Sequence, residues 1–365
     1  MKDSISVLEK GTAVIGLDVS DDQSTYVGLD TDGAVVEEGK VTTTRTGLEK
    51  RFGGRGGGCL VAIEAGTHSP WVSRLLAELG CQVLVANPRQ IALIYRNRRK
   101  SDRLDATNLA RLARSDPELL HPLVHRGRQA QEDLAVLRSR DALVRSRTQL
   151  INHVRGVVKS AGERLPSWSA ESFHHKAARQ LPAGLEAALS AVIEQVAQLT
   201  ASIKKYDEKV EELAQKRYPE ALAVRQPNGV GPITSLAFVL TLEDAHRFSS
   251  SRDVPAYLGL TPARRQSGAS DPELPISKAG DVFLRRLLVQ AAHYIIGPFG
   301  KDSDLRRWGL RLAGPAVGKG SKSRRKRAVI AVARKLAVLL HSLWVSGEVY
   351  EPLRLSPSEG GRLAS

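Results

Sequence analysis

The chain has 365 residues, and its 54 Lys and Arg against 39 Asp and Glu give a formal net charge of +15. This length predicts two or three domains, and the hydrophobic fraction of 42% argues against wholesale disorder. The excess positive charge favours a polyanionic partner, with nucleic acid as the first candidate. No apolar run approaches the ~18 residues of a membrane span, so the sequence does not predict an integral membrane protein.

The cysteines and the N-terminal segment indicate the cellular compartment. Cys59 and Cys81 are the only cysteines in the sequence, too few for a disulfide framework or a four-cysteine zinc site. Residues 1–10 contain no apolar segment of the kind that begins a secreted protein. Together these features predict a cytoplasmic protein, associated with the nucleoid if its partner is DNA.

The first part of the chain alternates strands with helices after an initial β-meander. The predicted elements are, in chain order, a meander over 12–40 with strands at 13–17, 25–29 and 35–36 and a turn at Asp32 and Gly33, a helix near 46–52, a glycine-rich loop at 53–58, a strand at 60–63, a helix over 71–79 and a strand at 82–86. The loop lacks the Gly-Lys-Ser/Thr ending of a phosphate-binding P-loop. This order predicts a mixed α/β sheet, and beyond Ala106 the pattern becomes helical.

Two helical stretches in the middle of the chain carry heptad patterns. In the first, apolar residues recur every seven positions, at Leu137, Val144, Ile151 and Val158. The second alternates steps of four and three through Leu185, Leu189, Val192, Val196, Leu199, Ile203, Tyr206, Val210 and Leu213. Such a seam, with charged residues on the other faces, is typical of a coiled coil. It fits an antiparallel hairpin within one chain or pairing between chains, and we favour pairing between chains.

Four carboxylates stand where predicted strands end and a predicted helix begins. Asp18 and Glu64 end two strands, while Asp102 and Asp105 open the helix. Acids at neighbouring strand ends meet at one edge of a sheet, and residues three apart share a helix face. Clustered carboxylates select a hard cation, Mg²⁺ or Mn²⁺. Taken singly, Asp18 could instead be a turn residue and Asp102 a partner of the helix dipole.

Two clusters of basic residues predict phosphate contacts. One lies next to the acid pair and comprises Arg96, Arg98, Arg99, Lys100 and Arg103. The other opens a C-terminal helix and comprises Lys322, Arg324, Arg325, Lys326 and Arg327. The first cluster would hold phosphates beside the acids, whereas the second could also be a solvated charged face.

Several short motifs resemble a single family. Gly-Leu-Asp at 16–18, Ile-Glu-Ala at 63–65, Ala-Asn-Pro at 86–88 and Lys-Ser-Asp-x-x-Asp-Ala at 100–106 resemble the N-terminal domain of the DEDD insertion-sequence transposases, the "one-ten" family. Residues 227–232, 257–268, 276–280 and 284–287 resemble the C-terminal domain of that family. The chain departs from the family locally, with Gly66 and Thr67 in place of Thr-Gly and an extra Asn228 in a Pro-Gly-Val-Gly turn.

The resemblance implies two sets of functional residues. It implies a Mg²⁺ or Mn²⁺ site built from Asp18, Glu64, Asp102 and Asp105. It also implies that Ser267 is a catalytic nucleophile, with Ser270 and Ser277 as competitors. Serine is a weak nucleophile that needs activation or a nearby positive field. The cations that could supply this field and bind phosphates are Arg264, Arg265, Lys278 and Arg285.

The resemblance also implies a domain organisation and partners. The expected segments are a flexible N-terminus at 1–10, an α/β domain of RuvC-like, RNase H-type fold at 11–128, a helical coiled-coil connector at 129–219, a mainly helical transposase domain at 220–350 and a flexible tail at 351–365. The expected partners are DNA, a structured guide RNA and further copies of the chain in a dimer or tetramer. The expected function is recombination of an insertion sequence through a covalent serine–DNA intermediate. The alternatives are a metal-dependent Holliday-junction resolvase, which would use the acids alone, and a nucleic-acid scaffold without chemistry.

Overall fold

The computed structural model describes residues 13–54, 59–91, 101–267, 270–272, 274–315 and 320–354. The chain divides into two compact units, Met1–Arg126 and Gly127–Ser365. The elements of the first unit are β1 (Ala13–Asp18), β2 (Gln23–Leu29), β3 (Val35–Thr42), α1 (Arg45–Phe52), β4 (Cys59–Glu64), α2 (Ser69–Glu78), β5 (Gln82–Ala86), α3 (Pro88–Ile91) and α4 (Asp102–Ser115). Those of the second are α5 (Arg128–Ser160), α6 (Phe173–Arg179), α7 (Glu186–Lys216), α8 (Glu220–Val224), α9 (Pro232–Leu242), α10 (Val254–Tyr257), α11 (Val282–Ile295), α12 (Asp304–Ala313) and α13 (Ser321–Ser346).

The first unit is built on a five-stranded mixed sheet in the order β3-β2-β1-β4-β5. The first three strands form the predicted antiparallel meander, and β4 and β5 continue the sheet in parallel with β1. Gly33 adopts φ +88° in the turn between β2 and β3, where the Asp30 carboxylate accepts hydrogen bonds from the backbone N–H groups of Asp32 and Ala34. The mixed α/β sheet predicted from the sequence is confirmed.

The two faces of this sheet are covered by different helices, because alternate strand residues point in opposite directions. Ile15, Leu17 and Ile63 belong to a hydrophobic cluster that includes buried residues of α1 and α2. Val14 and Ala62 belong to a second cluster, on the opposite face, that includes Ala106, Leu109 and Ala110 of α4. The helix α4 therefore covers the face of the sheet that carries Val14 and Ala62.

The heptad seam is occupied within the chain, so the favoured prediction of pairing between chains through this seam is wrong. Near one end of the hairpin formed by α5 and α7, a single cluster contains Leu137, Val210 and Leu213. Towards the other end, another cluster contains Ile151, Val154, Val158, Leu189, Ile193 and Val196. Early residues of α5 thus meet late residues of α7, as in an antiparallel hairpin. The alternative that the periodicity left open, a hairpin within one chain, is the one observed.

The second unit has its core around α9, α11 and α13. Residues 234–242 of α9 are buried, and the apolar ones among them share one cluster with Leu284, Leu288, Leu336 and Leu340. By length and composition, α13 is the helix in the described part of the chain that is long and apolar enough to cross a membrane, and half of that stretch is buried inside the protein. Core packing accounts for the apolar face of α13, whose first two turns carry the predicted basic run.

Candidate active site

The ends of β1 and β4 bring two of the predicted acids to one edge of the sheet. The strands are parallel and Leu17 pairs with Ile63, so Asp18 and Glu64 follow at adjacent positions. By the alternation of strand side chains, both extend from the face that also carries Val14 and Ala62. This is the face covered by α4.

The first turn of α4 brings the other two acids to the same region. Ser101 caps the helix by accepting a hydrogen bond from Leu104 N, and Asp102 and Asp105 lie in the turn that follows. The helix approaches β1 so closely that a Cβ atom on Gly16 would lie 1.9 Å from the carbonyl oxygen of Ala106. Glycine at position 16 is therefore required for this packing, which brings the start of α4 against the end of β1.

The chemistry of the four acids fits a hard divalent cation. Asp18 and Asp105 are partly exposed, while Glu64 and Asp102 are exposed, so none of the four residues is buried. All the donors are carboxylate oxygens, which Mg²⁺ and Mn²⁺ prefer. In the described residues no group of three or more His, Cys, Asp or Glu side chains is gathered closely enough to hold an ion. The structure therefore places the four acids at one edge of the sheet without gathering them into an ion site.

The loop after Glu64 is held by a contact that the sequence pattern did not predict. The Ser69 hydroxyl donates to the Gly66 carbonyl at 2.9 Å and accepts from the Gly66 N–H at 2.9 Å. His125 Nε2 lies 2.9 Å from the same oxygen. Burial, and then the charges of Arg74 and Arg126, lower the pKa of His125 below its ordinary value of 6.5. At neutral pH the imidazole is therefore neutral and can donate its Nε2 proton to Ser69.

A second contact ties this loop to the segment after Asp18. Trp71 Nε1 donates to His68 Nδ1 at 3.1 Å, which leaves the ring proton on Nε2. That nitrogen lies 2.8 Å from Asp21 Oδ1. His68 and Ser69 thus fix the loops that follow two of the acids. His125 is 56 residues from Ser69 in sequence, so no local pattern could have identified this pairing.

The basic residues predicted to flank the acids are described only in part. Arg96, Arg98, Arg99 and Lys100 lie outside the described residues. Arg103 lies in the first turn of α4, and its Nε donates to Glu38 Oε2 on β3 at 2.8 Å. Its guanidinium remains exposed beside the acid pair, and its phosphate contact stays a prediction.

Ser267 lies near the exposed tip of a β-hairpin in the second unit, which is described over residues 259–267, 270–272 and 274–278 and which we call the serine hairpin. Backbone hydrogen bonds join its two sides, from Ala263 N to Pro275 O and from Ser277 N to Thr261 O, both at 2.9 Å. At the tip, Ser267 and Ser270 exchange backbone hydrogen bonds of 3.0 and 3.1 Å. Within the described part of the chain the Ser267 hydroxyl has no hydrogen-bond partner, so it is free to meet a substrate.

The base of the serine hairpin is closed by tight backbone contacts. Gly259 has φ +67°, and a Cβ atom there would lie 2.4 Å from Ala279 N. A Cβ atom on Gly280 would lie 2.0 Å from the Tyr257 carbonyl oxygen. Lys278 adopts φ 55°, an uncommon conformation for a residue with a side chain. The chain therefore enters and leaves the hairpin at one narrow, specified crossing.

Arg285 of α11 lies under this crossing rather than on the surface. Only 8% of the residue is exposed, and its Nη1 donates to Leu258 O at 2.9 Å and to Gly280 O at 3.2 Å. One guanidinium thus joins the two ends of the hairpin. The sequence predicts a phosphate contact for Arg285, but its placement indicates a role in positioning the serine hairpin. The neighbouring Arg286 is more exposed and pairs with Asp141 at 2.7 Å.

The other predicted phosphate-binding residues of this unit are on the surface. Arg264, Arg265 and Lys278 are exposed on the serine hairpin, and Arg264 Nη2 donates to Asp271 Oδ2 at 3.4 Å. On α13, the residues Lys322, Arg325, Lys326 and Arg327 are exposed, whereas Arg324 is partly buried. The extra Asn228 has a structural partner, because its Oδ1 accepts a hydrogen bond of 3.1 Å from Lys301 N.

Two family models match this chain in separate segments. One, described as a transposase and representing the IS110-type DEDD group, matches residues 15–162. The other, described as the IS116/IS110/IS902 family of transposases, matches residues 222–303. The first segment contains the four acids at the sheet edge, and the second contains the serine hairpin.

Whole-length relatives agree with these matches. The transposase for insertion sequence element IS1111A of Coxiella burnetii is 27% identical over 348 residues, which cover 93% of this chain and 92% of the relative. A probable family 20 transposase of Pseudomonas aeruginosa is 30% identical, and the match covers 80% of this chain and 86% of the relative. The transposase for insertion sequence element IS1328 of Yersinia enterocolitica is 28% identical, and the match covers 80% of this chain and 85% of the relative. The chain therefore belongs to the IS110/IS116/IS902 family of insertion-sequence transposases, enzymes that cleave and rejoin DNA.

Proposed function

We propose that this transposase recombines its insertion sequence with Ser267 as a covalent nucleophile and with Asp18, Glu64, Asp102 and Asp105 as a Mg²⁺ or Mn²⁺ site. The observation that carries the proposal is the exposed Ser267 hydroxyl at the tip of a hairpin whose other exposed side chains include Arg264, Arg265 and Lys278. A nucleophile that attacks a phosphodiester must reach a phosphorus atom of the sugar-phosphate backbone. A projecting hairpin that carries exposed cations suits that task.

The proposed reaction exchanges one phosphoester bond for another. Ser267 Oγ attacks the phosphorus of a DNA phosphodiester, and a serine–phosphate bond forms while one bond from phosphorus to a deoxyribose oxygen breaks. The serine proton passes to solvent, and the released deoxyribose oxygen takes up a proton. Attack by the hydroxyl of another strand then reverses the step and frees the serine. The number of phosphoester bonds is conserved, so no external energy source is needed.

The four acids have a distinct part in the proposal. A bound Mg²⁺ or Mn²⁺ would stabilise negative charge on the attacked phosphate. Asp18 and Glu64, at adjacent strand ends, and Asp102 and Asp105, in one helix turn, are the residues that would hold it. The hydrogen bonds of His68 and Ser69 hold the loop that follows Glu64, one of the residues that would bind the ion.

The partners in this proposal are DNA, a structured guide RNA encoded by the element and further copies of the chain, in a dimer or tetramer. The site of action is the nucleoid within the cytoplasm. DNA and RNA are consistent with the formal net charge of +15. Because α5 and α7 occupy their seam within one chain, any assembly must use other surfaces.

A denaturing gel tests the proposal with purified protein, Mg²⁺, DNA carrying the element ends and any RNA that co-purifies. We expect labelled DNA to migrate with the protein for the wild type and for Ser270→Ala, and to lose this shift in Ser267→Ala. Ser270 is the matched control because it pairs with Ser267 at the same hairpin tip. Metal-dependent cleavage that leaves no adduct and is unchanged in Ser267→Ala would overturn the proposal and favour a resolvase that uses the acids alone.

A further inference from the structure

A long groove runs along α13 in the second unit. Its volume is about 1520 Å³, and it lies between α13, α12, the base of the serine hairpin and residues 348–354. The hairpin contributes Leu260, Pro262 and Ile276 to its wall. Its α13 side extends from Ser323 to Leu343, a length of ~30 Å at the rise of an α-helix. We call this feature the α13 groove.

The rim of the α13 groove is strongly cationic. Eight Lys and Arg line it, against three Asp and Glu. Arg311, Arg327 and Arg334 are exposed, and no described carboxylate forms an ion pair with any of them. Arginines without an ion-pair partner that share one rim repel each other, so a row of negative charges bound in the groove would relieve this repulsion.

The floor of the groove has the opposite character. Leu305, Trp308, Ile330 and Leu339 line it as partly exposed side chains, together with Tyr350. Lys335 Nζ lies 4.0 Å from the centre of the Trp308 ring, which adds a positive charge against an aromatic face. The occupant that fits must therefore present apolar faces to the floor and regularly spaced negative charges to the rim.

An unpaired nucleic-acid strand meets both requirements, because its bases expose flat apolar faces and its phosphates form a continuous row of charge. Duplex DNA meets only the second, since its bases are stacked and paired inside. The strand exchange in the proposed function requires a DNA strand to leave its partner, so an unpaired DNA strand is present during the reaction. We propose that the α13 groove binds an unpaired DNA strand, with Arg311, Arg327 and Arg334 at its phosphates and Trp308 against its bases.

This inference takes the identity of the strand from the proposed function, but its test is independent of chemistry. Full-length protein carrying Ser267→Ala, in EDTA, is titrated with a fluorescent oligodeoxythymidine of about 20 nucleotides at several salt concentrations. The variants are Arg327→Gln, Arg334→Gln and Trp308→Leu. Lys205→Gln is the matched control, because it removes one exposed charge from α7, outside the groove. Thermal unfolding of each variant checks that it is folded.

A plot of log affinity against log salt has a negative slope, and we expect each arginine variant to make it shallower by about 0.7. Trp308→Leu should weaken binding about tenfold. Lys205→Gln should leave both quantities unchanged. Three results would overturn the inference: groove variants that bind like Lys205→Gln, equal losses for duplex and single-stranded DNA, or tighter groove-dependent binding of the matching RNA. A further contradictory result is unchanged DNA binding with altered self-association, which would assign the groove to a protein partner. In each case adduct formation at Ser267 would still be decided separately.

Discussion

The two candidate centres of this transposase are positioned in different ways. The acids stand at the ends of paired strands and in a helix turn packed on the sheet, so the core of the first unit determines where their backbones lie. The serine stands at the tip of an exposed hairpin that is fixed at its base by Gly259, Gly280 and Arg285. Its position depends on a few local contacts rather than on a sheet.

This difference predicts how substitutions act in each unit. A change that disturbs the sheet or α4 should damage stability and acid placement together, because the same packing produces both. A change at the base of the serine hairpin should alter the nucleophile with a smaller loss of stability. The placement of the acids thus depends on the fold of their unit, whereas the placement of the serine depends on the contacts at the base of the serine hairpin.

The largest effect is expected from removing an acid. Asp102→Asn should lower Mg²⁺-dependent DNA cleavage by about 10³-fold, because several kcal/mol of charge stabilisation are lost with a proposed metal ligand. Asp32→Asn is the control, since Asp32 is an exposed turn residue between β2 and β3. Single-turnover cleavage at saturating DNA measures the effect. Equal activity of the two variants would contradict the assignment of the acids.

A smaller but global effect is expected from Gly16→Val. The new side chain would overlap the Ala106 carbonyl oxygen, so the first unit should lose about 3 kcal/mol of stability. Hydrogen–deuterium exchange of β1 and β4 measures this loss region by region. Gly66→Ala is the control, because nothing lies within 4 Å of a Cβ atom there. Unchanged exchange in Gly16→Val would show that α4 does not need this close approach.

Arg285→Met should have its main effect on the nucleophile. Loss of the charged donor to the carbonyls of Leu258 and Gly280 should lower the free energy of unfolding by about 2 kcal/mol. Adduct formation at saturating DNA should fall by more than the fraction of unfolded protein explains, because the serine hairpin is no longer held at its base. Arg286→Met, which removes a more exposed ion pair with Asp141, should cost less than about 1 kcal/mol. The split between kcat and KM separates positioning from DNA binding. A pure KM effect in Arg285→Met would assign it to DNA contact instead.

The smallest effect concerns a buried carboxylate at the base of the α5–α7 hairpin. Burial alone would raise the pKa of Asp133, but hydrogen bonds from Arg217, Tyr218 and Gln129 outweigh it and lower the pKa below 3.8. The stabilisation is therefore present above pH 4 and is lost as the pH falls through the lowered pKa. Asp133→Asn should cost about 1 kcal/mol at pH 7 and flatten the acid limb of the stability curve. Urea titrations between pH 2 and pH 7 measure it, and a wild-type acid limb in the variant would contradict the account.

Much of the first unit could be predicted, because strand register carries side chains to a determined edge. The pattern of buried strands ending in Asp18 and Glu64 specified the edge, and parallel pairing of β1 with β4 aligned the two acids. The predicted strand at Val35 and Val36 extends to Thr42 in the structure. Glu37, Glu38 and Lys40 do not have the apolar pattern by which strands are predicted, but the outer strand of a sheet tolerates such charged side chains.

Other features could not be predicted because the sequence pattern is the same for different partners. A heptad seam has one periodicity whether it packs on its own chain or another, so the α5–α7 pairing needed the structure. Arg285 and Arg286 are adjacent in sequence, yet only Arg285 is buried under the serine hairpin. The contact between Ser69 and His125 joins distant segments and leaves no local signature.

The central claim is that a nucleophile on a surface hairpin works with an acid centre built on a sheet. Mass spectrometry of the proteolysed protein–DNA adduct tests it most directly, with wild-type protein, Asp102→Asn and Mg²⁺ present or withheld. We predict that the nucleotide is attached to the peptide containing Ser267, and that both Asp102→Asn and metal removal abolish the attachment. Attachment at another residue, or an adduct at Ser267 that forms equally well without the acids and the metal, would contradict the account.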